Sequence, residues 1–227
     1  MKRKSTPKRK TLLSQPELLK RIYPPRAEVT LNPARLAHDG RGYIGQFKYN
    51  DVRTLIFFFP EGRIELLTRK REPHRGYHMS EGMRRALLGL GLSRERSHVI
   101  DGGILKNLSV KGERPIVIWD ILVHDDDYLL GTTYEERYGL LRRICGNPSR
   151  AERVTGREVG LQVTPQLWLA PVFKSHFEEK FQQARPADYL EGLMLKDPRG
   201  KLERGLLPRN NVGWQLKVRK RRKDYVF

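Results

Sequence analysis

A lysine that attacks as a nucleophile must do so uncharged, and Lys48 stands where a chain can arrange that. It follows an alternating run, Tyr43–Phe47, and precedes Arg53–Phe59, in which Leu55, Ile56, Phe57, Phe58 and Phe59 are consecutive and apolar. The amine is therefore expected at the mouth of a core, where desolvation and neighbouring cations favour the neutral, nucleophilic form. Three other segments combine cations, carboxylates and indoles at expected strand edges: Trp119-Asp120, Glu191-Gly192-Leu193-Met194-Leu195-Lys196, and Trp214-Gln215-Leu216-Lys217-Val218-Arg219. Taken alone, each also reads as an exposed lysine or a surface ion pair.

Other motifs do not carry chemistry. Gly40-Arg41-Gly42-Tyr43-Ile44-Gly45 has the letters of a dinucleotide fingerprint, but a polar stretch precedes it and a strand follows, the reverse of what that site requires. No P-loop or H-E-x-x-H motif is present, and the six histidines are scattered. Asp125-Asp126-Asp127 reads as a charged hairpin tip, because three consecutive residues point in different directions.

The elements that must position Lys48 and its companions read as strands and hairpins with helices inserted irregularly. Pro60-Glu61-Gly62 is a turn leading into a strand at Arg63–Thr68. Ser80–Leu92 suits a helix capped by Ser80, and Thr133-Tyr134-Glu135-Glu136 is a capping box opening another. His98–Leu105, Pro115–Val123, Gln162–Phe173, Leu190–Lys196 and Trp214–Arg219 suit strands, and Lys174–Ala184 a helix. This order predicts an α+β fold with mainly antiparallel sheets flanked by helices, not regular βαβ winding. Residues 1–27 read as a basic, flexible arm, and 28–227 as the folded domain with a basic C-terminal end.

The chain has 227 residues and a formal charge of +19, with six bases in residues 2–10 and six in 217–223. Removing those twelve leaves +7, so the middle is basic too. Such charge points to a polyphosphate partner, DNA or RNA, bound through counterion release, or to solvated tails or a nuclear-import signal. No basic amphipathic helix favours a membrane surface, and neither a long apolar run nor a secretory signal is seen. A single cysteine, Cys145, fits a reducing, intracellular setting, cytoplasm or host-cell cytoplasm, with the nucleus also open.

The segments taken as a set resemble the covalent nucleotidyltransferase superfamily: ATP-dependent DNA ligases, RNA ligases and mRNA-capping guanylyltransferases. Lys48-Tyr49-Asn50-Asp51-Val52-Arg53 keeps the spacing of the K-x-D-G-x-R motif, and Thr68-Arg69 stands where a Ser/Thr-Arg pair follows the next strand. Asp101-Gly102-Gly103 occupies the D-G-E place, and Trp119-Asp120 the aromatic-Asp place. Glu191…Lys196 matches E-G-[LV]-[MV]-[LV]-K in full and continues as Asp197-Pro198, while Trp214…Lys217-Val218-Arg219 is similar to W-x-K-x-K. The six run in the family's order from about Gly45 to Arg219. The compactness is phage-like.

The resemblance implies roles. Lys48 would attack the α-phosphorus of ATP and form lysyl-AMP. Lys196 and Lys217 would join it as catalytic groups and, with Gln46, Arg53, Arg69, Trp119, Glu191 and Arg219, bind the nucleotide. Gln46 would read the purine edge, Trp119 stack on the purine, Arg53 contact the ribose and Arg69 a phosphate. Glu191 would hold a divalent cation, Mg²⁺ or alternatively Mn²⁺. The implied activity is that of an ATP-dependent polynucleotide ligase, with nicked duplex DNA favoured from the Glu191–Pro198 segment, hence DNA repair or replication. An RNA ligase, a capping enzyme and an inactive nucleic-acid-binding relative stand as alternatives. A monomer without an OB-fold in the chain is expected, since eight residues follow Arg219. The chain departs from the pattern in three places. Asn50-Asp51 replaces Asp-Gly, so Asp51 takes another backbone path or supplies a carboxylate of its own. Gly103 replaces the glutamate that touches the ribose, and Arg219 replaces a lysine.

Overall fold

The computed structural model describes residues 19–36, 42–154, 156–205 and 210–220. Among these residues, twelve strands form two sheets. A four-stranded sheet has the order β1 (Arg26–Thr30), β12 (Asn211–Arg219), β11 (Leu190–Lys196), β2 (Ile44–Tyr49). The larger sheet runs β4 (Arg63–Thr68), β3 (Asp51–Phe59), β5 (His98–Leu105), β6 (Ile116–His124), β10 (Leu167–Leu169), β9 (Arg157–Gln162), β8 (Ala151–Val154), with β7 (Asp127–Tyr128) beside β6. Among the described residues, three α-helices flank the sheets: α1 (Glu81–Leu88), α2 (Tyr134–Ile144) and α3 (Phe177–Ala184). All pairings are antiparallel except β1 with β12 and β10 with β6. The expected α+β, mainly antiparallel architecture is thus the one observed.

The apolar run of β3 is explained by burial on both faces. Leu55, Phe57 and Phe59 pack with Leu19, Ile22, Val99 and Leu122, while Ile56 and Phe58 pack against α1 and α2 through Met83, Leu87 and Leu141. A separate core joins the two sheets to α3, with Phe47, Leu193, Leu195 and Val218 from one sheet, Val117 and Trp168 from the other, and Phe181 from the helix. The helix starts follow their sequence signals. Ser80 Oγ accepts from the Met83 N–H at 3.0 Å, and Thr133 and Glu136 close the capping box. The Asp125-Asp126 tip is a turn between β6 and β7, with both residues at positive φ, 50° and 66°.

Three expectations are corrected. The arm expected over 1–27 does not reach residue 27: Leu19 and Ile22 are fully buried, and β1 begins at Arg26. Their apolar side chains complete the outer face of β3, whereas residues 1–18 and the tract 221–227 lie outside the described residues. The strand expected over Gln162–Phe173 is broken by a turn at Thr164-Pro165-Gln166, so that Gln162 ends β9 and Leu167–Leu169 forms a separate short strand. The preceding hairpin, β8–β9, carries little strand signal in its sequence because its residues are largely polar (Glu152, Arg153, Glu158). The last helix starts at Phe177, not Lys174, because His176 before it is left-handed at φ 58°. Gly40 and Arg41 of the fingerprint-like stretch lie outside the described residues; its end, Ile44-Gly45, is strand β2, with no helix following.

Candidate active site

Strand register gathers the chemistry onto one face of the small sheet. Gln46 and Lys48 alternate along β2 on the same side. Across β11 and β12 the register sets Gln46 beside Met194 and Lys217, Lys48 beside Gly192 and Arg219, and Ile44 beside Lys196 and Gln215. Glu191 is aimed by a bulge. Leu190 pairs with Tyr49 and Gly192 with Lys48, so Glu191 is an extra residue, and such a residue is re-aimed out of the ladder. Gly192 makes the bulge feasible. Its φ is 138°, and a Cβ there would lie 2.0 Å from the Val218 carbonyl oxygen. The outcome is that Lys48 Nζ donates to Glu191 Oε2, with Arg219 NH2 3.7 Å from the same oxygen.

The larger sheet supplies the opposing wall by the same device. Asp101 pairs with Asp120 and Gly102 with Ile118, which leaves Trp119 as the extra residue of a second bulge. Its indole lies parallel to Tyr49 (8°, centroids 6.4 Å apart), and its Nε1–H donates to Asp101 Oδ2 at 2.9 Å. Asp101 also accepts from Arg53, whose Nε lies 2.9 Å from Oδ1. Arg53 NH2 further donates to the Pro25 carbonyl at 2.8 Å. Behind this layer Asp120 and Arg137 form a fully buried pair, Nε to Oδ1 at 2.9 Å.

A cavity of about 550 Å³ opens between these walls, and all nine residues expected at the site line it. They do not all offer free groups. Gln46 is buried; its Nε2 lies 3.3 Å from the Ala170 carbonyl, and its Oε1 is 2.9 Å from the Tyr134 hydroxyl. Gln46 and Arg53 thus brace the cavity here, whereas Arg69 is exposed at its rim. Lys196 is 3% exposed, with its ammonium 4.1 Å from the Tyr134 ring centroid. Burial pushes its pKa down to about 7 against the opposing pull of Asp120 and Asp101. Lys217, 3.5 Å from the Ala27 carbonyl, is also lowered, by partial burial and then by the charges of Arg219, Arg26 and Lys48. Asp51 is raised to about 7, chiefly by burial, with Lys48 and Arg53 opposing.

Sequence reasoning missed the part played by Asp101, which ties Trp119 to Arg53, and by Tyr134, which joins Gln46, Trp119 and Lys196. Both lie in segments already singled out, but their joining role depends on contacts between distant strands. A different cluster, His98, His124 and Asp125, brings ligand atoms within 4.8 Å of one another and shares no residue with the cavity. Both His98 nitrogens are engaged there. Nδ1 accepts from the Asp125 N–H at 3.2 Å, and Nε2 lies 2.9 Å from the Ser93 carbonyl. Among the described residues no helix is long and apolar enough to cross a membrane.

No protein-family model matches the chain, and no curated protein matches its sequence. Solved structures match its shape. The ligase domain of LigD from M. tuberculosis superimposes with a TM-score of 0.60 at 15% identity, covering 88% of this chain and 60% of that one. A mycobacterial DNA ligase D complexed with ATP and MES gives 0.57 at 16% identity, with coverages of 88% and 60%. The ATP-dependent DNA ligase of bacteriophage T7, complexed with ATP, gives 0.55 at 14% identity, covering 89% of this chain and 69% of that one. The chain spans about 60% of the length of the mycobacterial structures. The described residues share the fold of the ligase domains of these ATP-dependent DNA ligases, which is the fold that the motif resemblance implied.

Proposed function

We propose that the chain is an ATP-dependent polynucleotide ligase that works through a lysyl-AMP intermediate on Lys48, with nicked duplex DNA as its substrate. The observation that carries this is one cavity in which a lysine is held by a carboxylate, flanked by two lysines with lowered pKa values and faced by an indole. In the first step the neutral Lys48 amine attacks the α-phosphorus of ATP. A P–N bond forms, the bond to the pyrophosphate oxygen breaks, and the amine loses a proton. Glu191 orients the amine through its hydrogen bond. Lys196, Lys217 and Arg219 neutralise charge on the phosphates, and positioning and charge stabilisation provide most of the catalysis in such transfers. Trp119, fixed by Asp101 and flanked by Tyr49, offers the plane on which the purine stacks. In the second step a 5′-phosphate oxygen of the nick takes the AMP and the P–N bond breaks. In the third the 3′-hydroxyl attacks the 5′-phosphorus, sealing the strand and releasing AMP.

The donor set suits a divalent cation. Mg²⁺ is held by one or two carboxylates together with substrate phosphates, and Glu191 is a carboxylate at the cavity beside the phosphate-binding cations. When bound, such an ion would supply further neutralisation of phosphate charge.

The test is incubation with ATP labelled at the α-phosphate, followed by denaturing electrophoresis. The expected result is a labelled band in the wild-type chain and none in Lys48→Ala. A labelled Lys48→Ala protein, or an unlabelled wild type, removes the proposal. Chasing the labelled protein with nicked DNA, nicked RNA and mixed duplexes, and repeating the labelling with GTP, separates the DNA ligase from the RNA ligase and the capping enzyme.

A further inference from the structure

The two positions at which the chain departs most from the ligase pattern, 51 and 103, meet in space. Asp51 opens β3, and Gly103 lies on the neighbouring strand β5, opposite Arg53. A Cβ built on Gly103 would fall 2.6 Å from both Cγ and Oδ1 of Asp51. The Asp51 carboxylate therefore occupies the space into which any side chain at 103 would project.

That carboxylate is also unclaimed. Three acidic residues line the cavity: Glu72, Glu191 and Asp51. Glu72 is exposed at the rim, and Glu191 accepts from Lys48. The Asp51 carboxylate makes no hydrogen bond or ion pair among the described residues, although the residue is half-buried. The two cations that act on it, Lys48 and Arg53, are occupied, the first by Glu191 and the second by Asp101 and the Pro25 carbonyl. Its raised pKa, caused mainly by burial, agrees with a carboxylate that lacks donors of its own. Two paired oxygen acceptors on a cavity wall match the two O–H donors of a vicinal diol, and carboxylates recognise ribose hydroxyls in this way at other nucleotide sites. In the proposed complex the ribose must bridge the base on Trp119 and the phosphates at Lys48 and Lys217, and Asp51 lines the same cavity as these three residues.

We propose that Asp51 accepts hydrogen bonds from the ribose hydroxyls of the nucleotide, its carboxylate having moved from the β5 position to the adjacent strand while reaching the same part of the cavity. This rests on the ligase reading above, and makes Asp51 a specificity-determining residue that selects ribonucleotide over deoxyribonucleotide.

The experiment measures self-labelling of the full chain with ATP, 2′-deoxy-ATP and 3′-deoxy-ATP, as rate against nucleotide concentration. A site built to bond a hydroxyl rejects the analogue that lacks it, because its buried acceptor is left unpaired. Wild type is expected to favour ATP over at least one deoxy analogue by about tenfold or more. Asp51→Asn and Asp51→Gly are expected to bring that ratio to within about twofold of unity. The double variant Asp51→Gly/Gly103→Glu, which returns a carboxylate from β5, is expected to restore it. Calorimetric titration with the same nucleotides reads the ratio without chemistry. Labelling of wild type by ATP and both deoxy analogues alike overturns the inference and leaves the ligase reading intact. An unchanged ratio in both single variants does the same. Absence of any labelling with ATP overturns both.

Discussion

Replacing Gly192 by alanine tests whether the bulge at Glu191 is what aims the carboxylate at Lys48. The backbone at 192 has φ 138°, a region that side-chain-bearing residues rarely enter, and holding one there costs about 1–3 kcal/mol. The new methyl would also stand 2.0 Å from the Val218 carbonyl oxygen and 3.2 Å from Arg219 Cα, so β12 must move. Overpacking of this kind adds about 1–3 kcal/mol. The combined loss is about 4 kcal/mol, which at a urea slope of roughly 2 kcal/mol/M lowers the unfolding midpoint by about 2 M. Relief of the strain by flattening the bulge would turn Glu191 away from Lys48. Labelling by ATP, measured where the variant is still folded, is therefore expected to fall by about tenfold or more. Gly213→Ala is the control in the same sheet. It has open space around a built Cβ, and its stability should change by less than about 1 kcal/mol, with labelling unaffected. A Gly192→Ala protein that unfolds within about 1 kcal/mol of wild type and labels at the same rate would refute the reasoning.

Arg137→Ala is expected to destabilise the chain by about 3–5 kcal/mol in chemical denaturation, because it strands the buried Asp120 carboxylate and the Thr132 carbonyl that Arg137 bonds at 2.6 Å. A loss below about 1 kcal/mol would show that Asp120 does not depend on this partner. Lys196→Met tests the buried amine through pH. With a folded pKa of about 7 against 10.5 for the free group, the unfolded chain holds this proton between those values and the folded chain does not. The wild type therefore gains stability on this account as pH rises from about 7 to 10.5. The methionine variant lacks that gain, so its advantage in unfolding free energy, several kcal/mol by the usual conversion, is full below pH 7 and gone above about 10.5. A stability difference between the two that is flat across this window would contradict the burial-driven shift.

Much of the framework was legible from local pattern. Strands 63–68, 98–105 and 190–196 fall on the predicted bounds, and the capping box at Thr133 opens α2 as its residues demand. Period and capping act over a few residues, so a linear reading captures them. The parallel pairing of β1 with β12 escaped, because it joins segments about 185 residues apart and nothing local marks Arg26–Thr30 as a strand. The polar β8–β9 hairpin escaped for the converse reason: its edge position in the sheet leaves little apolar alternation to read. At the site, residue types in the right order indicated that Gln46, Lys48, Arg53, Arg69, Trp119, Glu191, Lys196, Lys217 and Arg219 belong together, and one cavity holds all nine.

By itself, then, the sequence indicated which side chains belong to the site, through the motif resemblance, and strand alternation put Gln46 and Lys48 on one face of the small sheet. Tertiary structure decided how they meet. Two bulges turn Glu191 and Trp119 out of their ladders, Asp101 locks Trp119 to Arg53, burial lowers the pKa of Lys196, and Asp51 settles over bare Gly103. Each of these depends on the register of one strand against another and on the local exclusion of water, which are set by neighbours remote in the chain.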